Sequence, residues 1–340
     1  MPQRYSADEV PVQPAAAHVG VLLTNLGTPD APTSPAVRRY LAEFLSDPMV
    51  IDLPRWLWLP LLHGVILNLR PRRSAAAYAR VWLPDGSPLL VESRALAEGL
   101  ELALAPRLKG SVRVALGMRY GEPSLAKALA ELRASGVERL VVLPIYPQYS
   151  RTTTGSTHAA VDRALGAMAW EPRTTRVLGW HDAPGYIAAL ASSVRQHWQR
   201  HGRGAKLLMS FHGLPARYVA AGDPYAAQCK ATARALAAAL DLSADRWTLA
   251  YQSRVGFEPW LTPYTDRALA GWAAERLGDI DVICPGFSVD CLETLDEIAL
   301  ENADAYTELG GGALRYVPAL NSRPEHFAFL SELVAQRVEG

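Results

Sequence analysis

The sequence predicts an α/β fold built on parallel sheets. The chain contains six short apolar runs, several of which end in Gly or Pro, and Ala- and Leu-rich amphipathic stretches lie between them. Continuous apolar runs of this length are typical of strands buried on both faces, and the amphipathic stretches supply the crossover helices. The runs are HVGVLLTNLG, VRVALGM, RLVVLPIYP, KLLMSFHG, RWTLAYQ and DIDVICPGF.

The two halves of the chain resemble each other. LTNLGTP around Gly27 matches MSFHGLP around Gly213, MRYGEP around Arg119 matches SRVGFEP around Arg254, and VVLPIYP matches DVICPGF. Matches in the same order predict two copies of one α/β unit. Gly27 and Arg119 are 92 positions apart, but Gly213 and Arg254 only 41, so the first half carries about 51 extra residues.

These matches predict two domains and a cleft. We expect the first domain at residues 1–178, with an insertion around residues 51–90, called the insertion below, and the second at residues 179–322. In open parallel sheets, ligands bind beyond the carboxyl ends of the strands, where the repeated motifs lie. Two such domains facing each other would form one cleft.

Composition excludes several classes of protein. The chain has 340 residues, 49% hydrophobic and 20% charged, which excludes disorder, and its 34 basic residues equal its 34 acidic ones, which argues against nucleic acid. Its three cysteines contain no CxxC pair, which fits a reducing cytoplasm. The first eighteen residues lack the apolar core of a secretion signal, so we expect none.

The longest apolar stretch lies in the insertion. Leu53–Leu69 is interrupted by Pro, Arg and His and is shorter than the ~20 residues of a bilayer span. An interfacial segment that touches a membrane or a greasy ligand and an ordinary buried helical hairpin both remain possible. The interfacial composition comes from Trp56, Trp58, Arg70, Arg72 and Arg73.

His212 follows a buried run and precedes Gly213, so its ring should project from the carboxyl end of a strand. There it could exchange a proton near neutral pH or bind a metal, or it could be a structural turn residue. Arg119 and Tyr120 in one half and Trp260 in the other would give a cleft with a cation and flat walls, suited to a large planar anion, unless they belong to the core.

Acidic residues recur on one predicted helix. Glu293, Glu297 and Glu301 share a face at i, i+4 and i+8, with Asp296 beside them. Such a stripe suits a divalent cation or a route for protons. It is equally explained as a solvated face, with Asp290 and Glu293 as a capping box.

Taken together, the motifs resemble those of ferrochelatases, over residues 18–335. The resemblance rests on LTNLGTPD, MRYGEPS, YPQYS with TTTGST, SFHGLP, YQSRVGFEPWLTPYTD and CPGFSVDCLETLDEI. It implies two flavodoxin-like chelatase domains with a porphyrin in the cleft, and residues 323–340 as a helix packed back on the first domain. It also implies an enzyme, a lyase that inserts Fe²⁺ into protoporphyrin IX in the last step of haem biosynthesis and releases two protons.

The resemblance also assigns roles to residues. His212, Glu293 and Glu297 would be catalytic, His212 and Glu293 would meet the metal, and Glu297 and Glu301 would continue a path for protons or metal ions. The positions that would line the porphyrin or its propionates are Leu26, Arg119, Tyr120, Tyr146 and Trp260.

Two departures refine these expectations. Members of Gram-positive type that use coproporphyrin have Tyr where this chain has Leu26, so protoporphyrin IX is favoured. Members with a [2Fe–2S] cluster of the animal style have Cys where this chain has Arg151, so we expect no [2Fe–2S] cluster and no resident cofactor. We expect a cytoplasmic monomer in peripheral contact with the inner membrane. The alternatives are a coproporphyrin III or other-metal chelatase and a noncatalytic porphyrin or haem carrier.

Overall fold

Two four-stranded parallel sheets form the centre of the computed structural model, which describes residues 18–256 and 258–339. The strands are β1 (Val19–Gly27), β2 (Val112–Tyr120), β3 (Arg139–Pro144), β4 (Arg173–Arg176), β5 (Leu207–His212), β6 (Trp247–Gln252), β7 (Ile280–Ile283) and β8 (Leu314–Val317). The strand order is β2-β1-β3-β4 in the first sheet and β6-β5-β7-β8 in the second. The predicted architecture of two parallel α/β units is confirmed.

Helices connect the strands and cover the sheets. The helices are α1 (Ser34–Leu45), α2 (Arg55–Leu61), α3 (Leu67–Val81), α4 (Pro88–Leu104), α5 (Leu125–Ala134), α6 (Ser156–Ala167), α7 (Pro184–His201), α8 (Ala216–Ala220), α9 (Tyr225–Ala239), α10 (Thr265–Ala274), α11 (Ala303–Glu308) and α12 (Pro324–Glu339). Ser87 caps α4 and Ser124 caps α5, because their side-chain oxygens accept hydrogen bonds from the amides of Leu90 and Lys127. Segments of π-helix occupy Leu62–Ile66, Arg151–Gly155 and Glu293–Asn302, and a 3₁₀ turn occupies Ala244–Arg246.

The register of the sheets corrects one detail of the sequence repeat. The amide of Met118 donates to the Pro123 carbonyl just after β2, and the amide of Tyr251 donates to the Pro263 carbonyl just after β6. Met118 and Tyr251 are therefore equivalent, and the counterpart of Arg119 is Gln252 rather than Arg254. The matching letters misled because the loop between the paired residues is longer in the second half.

Both halves contribute to one large hydrophobic core. It includes Leu23 and Leu96 of the first half with Met209 and Phe211 of the second. The last helix, α12, packs against α4 and α7, and its residue Glu332 forms an ion pair with Arg107. The two sheets therefore share apolar packing, and α12 crosses from the second half to the first.

The insertion is helical and amphipathic. Its α2, π-helical and α3 segments pack on α1 through a core that includes Leu62, Leu67 and Tyr78. The opposite side faces solvent: Trp56 is 79% exposed and Leu69 is 71% exposed. A fully buried hairpin is therefore excluded. No helix within the described ranges has the length and apolar character needed to cross a membrane.

Candidate active site

His212 is the last residue of β5, at the carboxyl end of the second sheet. Its Nδ1 lies 2.7 Å from the Gly213 carbonyl oxygen, and the Tyr225 hydroxyl donates to the His212 carbonyl at 3.0 Å. Because a carbonyl only accepts hydrogen bonds, Nδ1 carries the proton in the neutral ring and Nε2 keeps a free lone pair. Phe287 flanks the ring edge-on, with ring centroids 6.5 Å apart.

Trp260 lies beside the end of β5, and Leu26 lies at the equivalent end of β1. A Cβ atom added to Gly213 would lie 3.0 Å from the Trp260 ring, so glycine permits this close contact next to His212. In the first half, Leu26 precedes Gly27 just as His212 precedes Gly213. Leu26 is half-buried and borders the core of the insertion.

Glu297 is held at the end of the neighbouring strand, β6. Its carboxylate accepts hydrogen bonds from the Ser253 amide at 2.8 Å, from the Ser253 hydroxyl, and from Gln252 Nε2 at 3.3 Å. Burial is the main cause that raises the pKa of Glu297, and the neighbouring Glu293 adds to it, whereas Ser253 and His212 oppose it. His212 is thus within electrostatic reach of Glu297.

Glu293 begins the π-helical segment and faces the first half. Gln252 Nε2 donates to its carbonyl oxygen at 2.8 Å, which fixes the start of the segment. Burial, followed by the neighbouring Tyr78 and Glu293, raises the pKa of Tyr40 far above its usual range. Burial and the neighbouring Glu293 also raise the pKa of Tyr78. The Glu293 carboxylate therefore lies near tyrosines supplied by α1 and α3.

Arg119 and Tyr120 meet at a buried carboxylate, Asp47. Asp47 accepts hydrogen bonds from the Tyr120 hydroxyl at 2.8 Å and the Ser156 hydroxyl at 2.6 Å, and it forms an ion pair with Arg119. Asp47, Arg119 and Tyr120 line a cavity of about 280 Å³, which Met49 also lines. The charge of Arg119 is already matched by Asp47, and Tyr120 is buried, so their contact with a porphyrin stays a prediction.

Tyr146 lies in the same region. Burial raises the pKa of its hydroxyl, and Tyr120 contributes after burial. Within the described part of the chain, its buried hydroxyl oxygen has no partner in good hydrogen-bond geometry, although the nearby Thr157 side chain acts to lower its pKa.

The acidic stripe does not act as one unit. Asp296 is buried and binds Arg80 of α3 through two hydrogen bonds, and the exposed Glu301 binds the same guanidinium. Of the acids in this stripe, only Glu297 lines a polar cavity of about 150 Å³ beside β6. Glu301 thus faces Arg80, and its place on a path for ions stays a prediction.

The prediction that Asp290 and Glu293 form a capping box is wrong. The Asp290 carboxylate accepts hydrogen bonds from Thr294 Oγ1 at 3.0 Å, Tyr316 Oη at 2.6 Å and Asn321 Nδ2 at 2.7 Å. It is a buried hub that joins the start of the π-helical segment to β8 and the following loop. Spacing alone could not separate a helix cap from this arrangement.

A complete metal site is not preformed among residues 18–256 and 258–339, where no three His, Cys, Asp or Glu side chains converge closely enough to hold an ion. The pairing of His212 with Glu293 at the metal therefore stays a prediction. Sequence reasoning missed Asp47, Gln252 and Ser253. The SDP and YQS segments that contain them carry no charge pattern that singles them out.

We expect Asp47→Asn to lower the free energy of unfolding at pH 7 by about 2–4 kcal/mol, because it leaves the largely buried Arg119 without its anion. Burial acts to raise the pKa of Asp47, but hydrogen bonds from Ser156, the Met49 amide and Tyr120 bring it below its usual value of 3.8. The stabilisation is therefore present above pH 3.8 and is lost as pH falls through the folded-state pKa.

Urea denaturation between pH 3 and pH 7 measures the difference. Asp30→Asn, which breaks an exposed ion pair with Arg39, is the control and should change stability by less than about 1 kcal/mol. Equal losses in the two variants, or a difference that does not shrink at low pH, would contradict the analysis.

Comparison with known proteins gives a consistent result. The ferrochelatase family profile matches residues 18–338. Ferrochelatase from Thioalkalivibrio sulfidiphilus is 53% identical over 95% of this chain and 87% of its own length. The enzyme from Stenotrophomonas maltophilia is 50% identical over 94% of this chain and 97% of its own length.

Solved structures show the same fold at low identity. The sirohydrochlorin chelatase SirB from Bacillus subtilis subspecies spizizenii, in complex with cobalt, has a TM-score of 0.55 at 10% identity, covering 95% of this chain and 96% of that one. SirB from Bacillus subtilis with Fe³⁺ has a TM-score of 0.53 at 10% identity, covering 95% and 94%. From its sequence, its fold and its full-length relatives, this chain belongs to the ferrochelatase family.

Proposed function

We propose that this chelatase inserts Fe²⁺ into protoporphyrin IX, with His212 as the group that meets the pyrrole nitrogens. Membership of the ferrochelatase family carries the coarser statement, that the protein is a lyase acting in the terminal step of haem biosynthesis. The observation that carries the finer proposal is the 2.7 Å contact between His212 Nδ1 and the Gly213 carbonyl oxygen, which leaves the lone pair of the neutral ring on Nε2.

The reaction releases two protons. A porphyrin loses two N–H protons as iron enters, and Fe²⁺ sheds its water ligands. In the proposed mechanism, His212 Nε2 accepts the pyrrole protons one after the other and passes each of them on before it takes the next. Nε2 can contact the incoming iron only while it holds no proton, because it has a single lone pair.

Glu297 suits the transfer of these protons to solvent. Burial raises its pKa, so it binds a proton more readily at neutral pH than an exposed carboxyl group would. It lies within electrostatic reach of His212 and lines the polar cavity beside β6. Glu293, placed between the second half and the tyrosines of the first, would face the ring.

The walls of the cleft would hold the macrocycle bent, which exposes the pyrrole lone pairs to the metal. Leu26 and Trp260 stand next to Gly27 and Gly213, where the first strand of each half ends. Flat and apolar side chains at these positions suit a porphyrin face. In this proposal, Arg119, Tyr120 and Tyr146 border the same cleft.

We expect His212→Ala to reduce turnover at least about 100-fold while the protein stays folded, because it removes the proposed base. Glu293→Gln should be similarly severe. Glu301→Gln is the matched control, since this exposed carboxylate pairs with Arg80. The assay is anaerobic incubation with protoporphyrin IX and Fe²⁺, following the change of the free-base visible bands into those of haem.

Circular dichroism verifies that each variant is folded. Retention of most of the turnover by His212→Ala would refute its role. No turnover by the wild-type protein with protoporphyrin IX, but turnover with coproporphyrin III or with another divalent metal, would replace the proposed substrate.

The protein should work without an iron–sulfur cluster. Arg151 stands where cluster-bearing members resembling this chain have Cys, and the chain has three cysteines in all. All three are buried and free in the structure. We expect anaerobically purified protein to show no acid-labile sulfide. Stoichiometric sulfide with brown colour would contradict this expectation.

We also propose that the protein is a cytoplasmic monomer that binds the membrane surface reversibly through the insertion. Burial of apolar surface in lipid contributes about 25 cal/mol per Å², so a few exposed side chains of Leu and Trp supply several kcal/mol. Arg70, Arg72 and Arg73 on α3 are exposed and would attract anionic headgroups. The insertion could then receive a poorly soluble porphyrin at the bilayer.

Liposome flotation tests this contact. The structure excludes Leu62 from the test, because Leu62 belongs to the buried core. We expect Trp56→Ser with Leu57→Ser and Leu69→Ser to lose binding to anionic vesicles and to raise the Michaelis constant for porphyrin. Leu102→Ser, at a leucine that is 76% exposed on α4, is the control. Unchanged flotation of the folded triple variant would refute membrane contact. Light scattering tests the separate proposal that the protein is a monomer.

A further inference from the structure

The insertion is fastened to the second half at both of its ends. At its start, Asp52 forms an ion pair with Arg217 of α8, and the Tyr218 hydroxyl donates to the Val50 carbonyl at 2.9 Å. At the end of α3, Arg80 binds Asp296 on the π-helical segment. Helix α8 follows His212 closely in the chain, and the π-helical segment carries Glu293 and Glu297. Both anchors therefore join elements next to the proposed catalytic residues.

The contact between Arg80 and Asp296 has the geometry of a strong pair. Arg80 Nε donates to Asp296 Oδ1 at 2.6 Å, and Nη2 donates to Oδ2 at 2.8 Å. Paired, parallel hydrogen bonds between guanidinium and carboxylate fix orientation as well as distance. The Asp296 side chain is only 5% exposed, whereas that of Arg80 is 46% exposed. Of the residues that the structure describes, Arg80 is the sole hydrogen-bond donor to this carboxylate.

Loss of Arg80 would therefore affect more than a surface pair. A buried carboxylate without its cation must gain water, and the turn that carries it has to move to let water in. Asp296 directly precedes Glu297 and lies three residues after Glu293, so this turn carries all three groups. Leu292, just before Glu293, packs at the edge of the core of the insertion, which gives a second contact across the same boundary.

We propose that Arg80 is a positioning residue whose paired hydrogen bonds to Asp296 couple the placement of the insertion to that of Glu293 and Glu297. This inference rests on the proposed function, in which those carboxylates handle protons or metal. It assigns Arg80 no contact with the porphyrin or with iron. The exposed Glu301, which shares the guanidinium, contributes little to the coupling.

A double-mutant experiment separates this role from a direct one. Arg80→Gln should lower kcat roughly tenfold, since positional coupling of this kind changes rates by about that factor. Asp296→Asn breaks the same paired hydrogen bonds, so it should also lower kcat, but less than Arg80→Gln does, because it leaves no unpaired buried charge. Because both changes break one interaction, the double variant Arg80→Gln with Asp296→Asn should lose no more kcat than Arg80→Gln alone. Arg39→Gln, which breaks the exposed pair with Asp30, is the control and should leave kcat unchanged.

A second readout does not depend on activity. Hydrogen exchange without substrate should be faster in Arg80→Gln both in residues 55–81 and in residues 293–302, and the double variant should exchange no faster than Arg80→Gln does. If wild-type protein does not convert protoporphyrin IX, the proposed function fails, but hydrogen exchange still tests the coupling.

Three results would overturn the proposal. They are wild-type kcat and exchange in Arg80→Gln, wild-type kcat and exchange in Asp296→Asn, or losses of the two single variants that multiply in the double variant. If Arg80→Gln does not fold, Arg80→Lys replaces it, because it keeps the charge but loses the paired geometry. A loss of kcat that Asp296→Asn does not deepen then supports the coupling, and an unchanged kcat and exchange refute it.

Discussion

A carboxylate removed from water needs hydrogen-bond donors from the protein, and this constraint fixes the elements around the candidate active site. Asp47 gathers Arg119, Tyr120 and Ser156 at the end of the first sheet. Asp290 joins the π-helical segment to the loop after β8, and Asp296 joins the same segment to α3. Each of these buried acids links elements far apart in sequence. The proposed catalytic carboxylates are thus placed by other carboxylates that take no part in the chemistry.

The sequence could predict the strands that have strong apolar patterns and not the rest. Six runs correspond to β1, β2, β3, β5, β6 and β7. The two missed strands, β4 and β8, each contain four residues and lie at the far edges of their sheets, where pairing on one side suffices and RTTR needs no apolar pattern. Edge strands of this kind are defined by their neighbours rather than by their own residues.

Prediction of the site had the same limit. His212 and the carboxylates could be found because strand ends and helical spacing are local patterns. Arg80 and Asp296 are 216 positions apart, and Asp47 and Arg119 are 72 apart, so no local pattern relates them. The repeat shows a further asymmetry: at equivalent strand ends the first half has Leu26 and the second has His212. In the proposed function, one copy of the unit supplies a wall of the porphyrin site and the other supplies the base.

The crossing of α12 has a consequence for how the protein is made. Helix α12 covers α4 of the first half, and Arg139 of β3 donates a hydrogen bond to the Val338 carbonyl. During synthesis, the first half leaves the ribosome long before residues 324–339 exist. Its α4 surface therefore stays uncovered while the second half is translated. Domains generally begin to fold in order of synthesis. The first half can form its sheet early, but it completes its packing only after residues 324–339 have been made.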